Sequence, residues 1–147
     1  MISIRTAIPG DEKAIFELIK ELALYERAPD QVTNTSMQLA IDLFEDQICD
    51  AIVAEENNEI VGFALYYTSY STWKGKCLYL EDFYVQEKKR KKGIGSLIFD
   101  KVVEIAKNKG VRRMDWQVLD WNQKAIDFYN NRNAILDSEW INGRYFF

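Results

Sequence analysis

Apolar and polar residues alternate from residue 2 to residue 7, which predicts a first strand. Pro9-Gly10-Asp11 then opens a helix with Asp11 as the expected N-cap. Ile15, Leu18, Ile19 and Leu22 recur at helical spacing, so one face of that helix packs inward. Its end is expected near Arg27, ahead of Pro29. Thr35 or Ser36 caps a short second helix through Leu43 and Phe44. Residues 51–54 and 60–70 read as two strands joined at Asn57-Asn58, whose turn chemistry predicts a hairpin. Residues 77–85 form another strand-like run, and residues 96–109 carry Ile98, Val102, Ile105 and Ala106 on one helical face, stopped by Gly110. A strand over 114–119, a short helix after Asn122 and a final hairpin over 135–147 around Asn142-Gly143 complete the pattern. The order β-α-α-β-β-β-α-β-α-β-β, with one β-α-β crossover over 77–119, predicts a mixed α+β sheet with helices on both faces.

Length and composition narrow the class. A chain of 147 residues with 48% hydrophobic and 14% aromatic residues is expected to form one domain over 1–147 with a sizeable core. Its formal charge is −4, yet Lys88, Lys89, Arg90, Lys91 and Lys92 follow one another; without those five charges the rest carries −9. An acidic body with one concentrated basic spot fits a single anion site and no nucleic acid, whose binders carry a basic face or stripe. Cys49 and Cys77 form neither a CxxC pair nor a disulfide framework. The start has no secretory-type leader, and the apolar runs are far short of a membrane span, so a reducing cytoplasm is the expectation. There is no histidine. That excludes Ser-His and Cys-His nucleophile pairs and leaves too few ligands for a zinc site, so no metal is expected.

The candidate chemistry begins at Arg90-Lys91-Lys92-Gly93-Ile94-Gly95-Ser96, between a strand and a helix. A helix start exposes unpaired N–H groups and a positive partial charge, glycines admit a phosphate close to the backbone, and lysines add attraction. The alternative is a basic, solvated turn ahead of an ordinary helix. Neither the P-loop pattern nor GxGxxG is satisfied, since position 98 is Ile98. The spacing Arg90-x-x-Gly93-x-Gly95 resembles the pyrophosphate loop of the GNAT superfamily of acyl-CoA N-acyltransferases. Four further segments extend the likeness from about Ile4 to Arg144: KELALYE at 20–26, YSTWKGK at 70–76, LEDFYV at 80–85 and WNQKAIDFY at 121–129. Together they resemble the diamine acetyltransferase branch, which includes spermidine/spermine acetyltransferases and thialysine-acetylating relatives; YSTWKG and VLDWNQ are nearer the latter.

The resemblance implies the GNAT fold, a mostly antiparallel sheet that splays near its middle to admit acetyl-CoA. It implies direct attack of an amine on the thioester in a ternary complex, and a homodimer. Tyr129 takes the position of general acid to the departing thiolate, against the alternative of a core aromatic beside Phe128. Glu81 takes that of the group receiving the substrate ammonium, or of a base acting through water, against a structural ion pair. By period two Glu81 shares a face with Tyr79, Phe83 and Val85, while Asp82 points the other way, as a substrate-side or structural anion. Phe83, Tyr84 and Val85 imply backbone contacts to the pantetheine arm, with a backbone N–H, that of Val85 foremost, polarising the thioester carbonyl. Arg90, Lys91, Lys92, Gly93, Ile94, Gly95 and Ser96 imply the pyrophosphate contacts. Asn122, Lys124 and Ala125 imply further coenzyme contacts, Asn122 also being a candidate helix cap. Tyr25, Glu26, Trp73 and Asp82 imply contacts to a small cationic amine; the alternatives are an exposed helix end for Tyr25 and Glu26 and a cover for the core edge for Trp73. Ser71 stands where polyamine enzymes carry an aspartate, which favours a smaller or amino-acid-like amine. Asn133 replaces a customary glycine but tolerates the same left-handed backbone. Three rival readings remain: acetylation of a protein lysine or N-terminus, coenzyme sensing without turnover, and nucleic-acid binding through the lysine run, which predicts salt-sensitive DNA binding that acetyl-CoA does not relieve.

Overall fold

Strand pairing organises residues Met1–Trp116, the first of two compact units in the computed structural model, which describes Met1–Phe147 throughout. Strands β1 (Ile2–Thr6), β2 (Asp50–Glu56), β3 (Glu59–Ser71), β4 (Gly75–Val85) and β5 (Arg113–Asp115) form one sheet in the order β1-β2-β3-β4-β5. All neighbours are antiparallel except β4 and β5, which the crossover helix joins in parallel. The β2–β3 turn is made by Asn57 and Asn58 with φ of 52° and 64°, the left-handed pair a two-residue hairpin requires.

Helix α1 (Glu12–Tyr25) covers one face of the sheet, and α3 (Ile94–Asn108) covers the other. On the first face Ile15, Phe16 and Leu18 pack with Ala51, Val53, Phe63, Leu65 and Tyr84, joined by Leu39 and Leu43. The short α2 (Ser36–Ala40) carries Leu39 and runs on into a π-helical turn holding Leu43; Thr35 Oγ1 caps it by accepting from Gln38 N–H at 3.1 Å. On the second face Ile94, Ile98 and Val102 are buried, and the Phe83 and Phe99 rings meet at 5.7 Å. Each fully buried aliphatic side chain contributes about 1.5–3 kcal/mol of transfer free energy, so the two faces fix both helices on the sheet. Gly110 ends α3 with φ 69°, as expected. No helix is long and apolar enough to cross a membrane.

The second unit, Gln117–Phe147, contains α4 (Gln123–Asn130). The expected fold class is therefore observed: an α+β sheet, mostly antiparallel, with helices on both faces. Three local expectations need correction. Asp11 does not cap α1, because its backbone is already helical and a cap needs extended backbone; its carboxylate turns back to accept from Ile8 N–H at 2.8 Å and from Arg5 at 2.7 and 3.2 Å. The strand expected over 114–119 is three residues long. The final hairpin does not form: residues 131–147 contain no strand, and Trp140 is 75% exposed. A two-stranded ribbon without a third strand or a helix beneath it is marginal, and Asn142 instead accepts from Gln117 Nε2 at 2.8 Å.

Candidate active site

The turn between β4 and α3 is shaped before any ligand arrives. Gln86 N–H bonds Val61 C=O at 2.9 Å, one short helical turn follows over Glu87–Lys89, and Lys91 and Gly93 take left-handed backbone at φ 66° and 78°. The α3 ladder opens with Leu97 N–H to Gly93 C=O at 3.1 Å, so the N–H groups of Ile94, Gly95 and Ser96 stand at the positive end of a fifteen-residue helix. A Cβ at Gly93 would meet nothing within 4 Å, so glycine there answers to φ; at Gly95 it would lie 3.6 Å from the Phe83 ring. Lys91 and Lys92 are exposed. The turn thus fits an anionic diphosphate through backbone N–H groups and these two lysines.

Two other cations of the run face the protein. Lys89 pairs with Glu56. Arg90 donates from Nε to Val85 C=O at 3.0 Å, with its guanidinium 4.9 Å from the Tyr25 ring centre and 5.2 Å from that of Tyr84. The Tyr84 hydroxyl in turn donates to Glu21 at 3.2 Å. Arg90, expected among the cofactor contacts, is therefore packed between β4 and the end of α1.

The sheet splays next to this turn. β5 pairs only with Cys77, Leu78 and Tyr79, so β4 has no strand partner on that side from Leu80 to Val85. Phe83, Tyr84 and Val85 lie in this stretch. Here one assumption of the sequence reading fails. β3 pairs Leu65 with Asp82 and the next residue, Tyr66, with Leu80, leaving Glu81 as the extra residue of a β-bulge. Alternation does not carry through a bulge. Tyr79, opposite Tyr67, falls on the α1 face with Asp82 and Tyr84, not with Phe83 and Val85.

The bulge gathers charge. Burial and the charges of Glu81 and Glu26 push the Asp82 carboxyl up to about 7, and burial followed by Glu81 raises that of Glu26, which caps the C-terminus of α1. Burial and Glu81 also raise the Tyr67 phenol, and burial, Glu81 and Tyr67 push Tyr79 to about 12. The two rings lie 5.4 Å apart. Glu26, Glu81, Asp82, Tyr67 and Tyr79 thus share one acidic, aromatic-walled environment beyond the end of α1. A surface of this kind is chemically suited to a cation, through ion pairing and ring faces. Trp73 is 83% exposed at the tip of the β3–β4 hairpin and covers no core; Ser71 Oγ shapes that tip by accepting from Trp73 and Lys74 N–H at 3.2 and 3.1 Å.

In the second unit, Asn122 Oδ1 caps α4 by accepting from Ala125 N–H at 3.3 Å, and Lys124 is exposed. Tyr129 is buried, edge-on to Phe128 at 5.5 Å between ring centres. Asn133 follows with φ 62°, so the left-handed turn survives without glycine. The sequence reading missed Tyr67, and missed that Arg90 faces inward. Cross-strand register would have revealed the first, and the second depends on a helix–strand contact that no local pattern encodes.

The acetyltransferase (GNAT) family model matches residues 14–133. The chain is 44% identical to thialysine N-epsilon-acetyltransferase of Bos taurus over 90% of its own length and 84% of that protein. It is 39% identical to the human spermidine/spermine N(1)-acetyltransferase-like protein 1 over 92% of its length, a match covering 21% of that longer protein. A possible acetyltransferase from Clostridium difficile 630 superposes with a TM-score of 0.81 at 20% identity, covering 100% of this chain and 99% of the other. With a glycine-containing, lysine-flanked turn at the head of α3, an unpaired β4 edge beside it and a family match across most of its length, the chain belongs to the GNAT family of acetyltransferases.

Proposed function

We propose that this acetyltransferase moves the acetyl group of acetyl-CoA to a primary amine of a small cationic substrate, a thialysine-like amino acid or a diamine, and that residues 1–147 work as one domain. The observation that carries the reading is the Glu26–Glu81–Asp82 cluster beside the unpaired stretch of β4. A carrier bound at the head of α3 and along β4 presents its thioester next to carboxylates suited to an ammonium group.

In this reading the neutral amine attacks the thioester carbonyl directly. The N–C bond forms, the C–S bond breaks and the thiolate leaves with the electron pair. Glu81 receives the substrate's ammonium, and the proton passes to it or to water. Backbone N–H groups of Phe83, Tyr84 and Val85 hold the pantetheine arm and polarise the carbonyl. Lys91, Lys92, Gly93, Ile94, Gly95 and Ser96 hold the diphosphate, with Asn122, Lys124 and Ala125 as further coenzyme contacts. Tyr129 protonates the thiolate, the role the resemblance assigns to it, and regains a proton through solvent as the attacking nitrogen releases its own. Homodimerisation and a cytoplasmic setting belong to the same proposal and rest on family likeness.

The test is thiol release from acetyl-CoA with putrescine, spermidine, thialysine, lysine and a peptide as acceptors. Turnover on one or more of the small amines is expected, and Tyr129→Phe is expected to lower kcat by about a hundredfold while leaving acetyl-CoA affinity intact. A preference for the peptide, or a Tyr129→Phe enzyme with full kcat, would overturn the assignment.

A further inference from the structure

Arg90 opens the turn before α3, yet its half-buried side chain folds back onto β4 and the end of α1. Its Nε donates to the carbonyl of Val85, and its guanidinium lies over the rings of both Tyr25 and Tyr84. Tyr25 is the last residue of α1, Glu26 caps that helix, and Glu26 senses the charge of Glu81 across the cluster. Tyr84 is itself held by Glu21, one turn back along the same helix. One planar cation thus joins three things: the last carbonyl of β4, the ring that ends α1, and the ring that β4 presses against α1.

We propose that Arg90 is a positioning residue for the amine: it pins the C-terminus of α1 against β4 and so sets where Tyr25 and Glu26 meet the substrate. This rests on the amine-acetyltransferase reading above. It differs from the expectation that Arg90 contacts the diphosphate, because a guanidinium engaged by a carbonyl and two ring faces serves the helix end. Lysine cannot replace it. An ammonium keeps the charge near the turn but has no planar fork that stacks on rings while donating in-plane to a carbonyl.

The experiment is a double-mutant cycle of Arg90→Lys and Tyr25→Leu, measured by steady-state kinetics on the best small amine with acetyl-CoA affinity followed by calorimetry. Arg90→Lys is expected to raise the amine KM about fivefold, the size of one lost cation–ring contact of ordinary strength, while the acetyl-CoA affinity moves less than twofold. Tyr25→Leu removes that contact and the ring's own contact to the amine, so it is expected to raise the same KM by more than Arg90→Lys does, and the double variant to add little to Tyr25→Leu alone. A merely structural role would lower the concentration of active enzyme and leave both KM values in place. Weaker acetyl-CoA binding with an unchanged amine KM would make Arg90 an anion ligand and overturn the inference. So would additive effects, or no effect. If Arg90→Lys fails to fold, Tyr25→Leu with an unchanged amine KM overturns it alone. A wild-type enzyme that acetylates none of the amines would sink the proposed function and this inference together, whereas the other results sink the inference only.

Discussion

Asp82→Asn should stabilise the protein, and by an amount that depends on pH. Asp82 is raised from 3.8 to about 7, first by burial and then by Glu81 and Glu26. The sign follows from linkage: between those two values the folded state binds the proton that the unfolded state has released, so stability falls as pH rises through the window. Below about pH 4 both states are protonated and the asparagine gains nothing from this source. From pH 5 to pH 7 the wild type loses up to two units at 1.36 kcal/mol each, about 2–3 kcal/mol, and above pH 7 the difference is flat. Urea unfolding of both proteins at pH 5 and pH 8 measures it. The amide's own packing and hydrogen bonding affect both pH values alike, so the change in ΔΔG between them isolates the titration. A ΔΔG that is the same at pH 5 and pH 8, or that turns against the variant at pH 8, would refute the account of a carboxyl held neutral by burial and like charge. The variant should also bind the amine less well, since the charge that destabilises the fold is the one offered to the substrate.

Two further outcomes are expected. Gly62→Ala on β3 places a Cβ 3.0 Å from the Tyr84 carbonyl oxygen and 3.0 Å from Ile98 Cδ1; the Ile98 side chain can turn but the backbone oxygen cannot, so β3 and β4 must shift apart, at a loss of about 1–3 kcal/mol in urea unfolding. Ser71→Asp keeps an acceptor for the N–H groups of Trp73 and Lys74 and adds a charge near the amine path, so kcat/KM for spermidine relative to thialysine should rise about two- to fivefold, as for one exposed ion pair.

What the sequence revealed divides along physical lines. Helices α1 and α3 were legible because a buried face repeats every 3.6 residues, and their ends because left-handed positions such as Gly110 mark them. Gly93 and Gly95 pointed to the cradle because a backbone that must approach a phosphate and turn left-handed limits the residue types allowed. Pairing information was not legible. The bulge at Glu81 depends on how β3 and β4 register, so period-two reasoning put Tyr79 on the wrong face. Asp11 looked like a cap because the short-range pattern of an aspartate before a helix fits one; its true partner, Arg5, lies on the preceding strand. The apolar residues of 135–147 suggested a hairpin because alternation reports a wish for burial and not the presence of a partner.

The distribution of acids explains why the cluster beside β4 stands out. Several other carboxylates have a local partner: Asp11 holds Arg5, Glu56 holds Lys89, Asp115 holds Arg113, and Glu21 accepts from the Tyr84 hydroxyl. At Glu26 and Asp82 the environment is instead burial plus further negative charge, which raises both groups. A few kcal/mol is a large share of the 5–15 kcal/mol that a domain of this size has to lose, so such an arrangement is a tension in the folded state. It sits at the β4 bulge, next to the stretch of β4 that β5 leaves unpaired. In the proposed function a cationic amine arriving there supplies a counter-charge that lowers the raised Glu26 and Asp82 carboxyls, so its binding is linked to proton release and strengthens as pH rises toward 7. Within that reading the same linkage favours a charged amine over a neutral one, before any contact specific to the rest of the substrate is made.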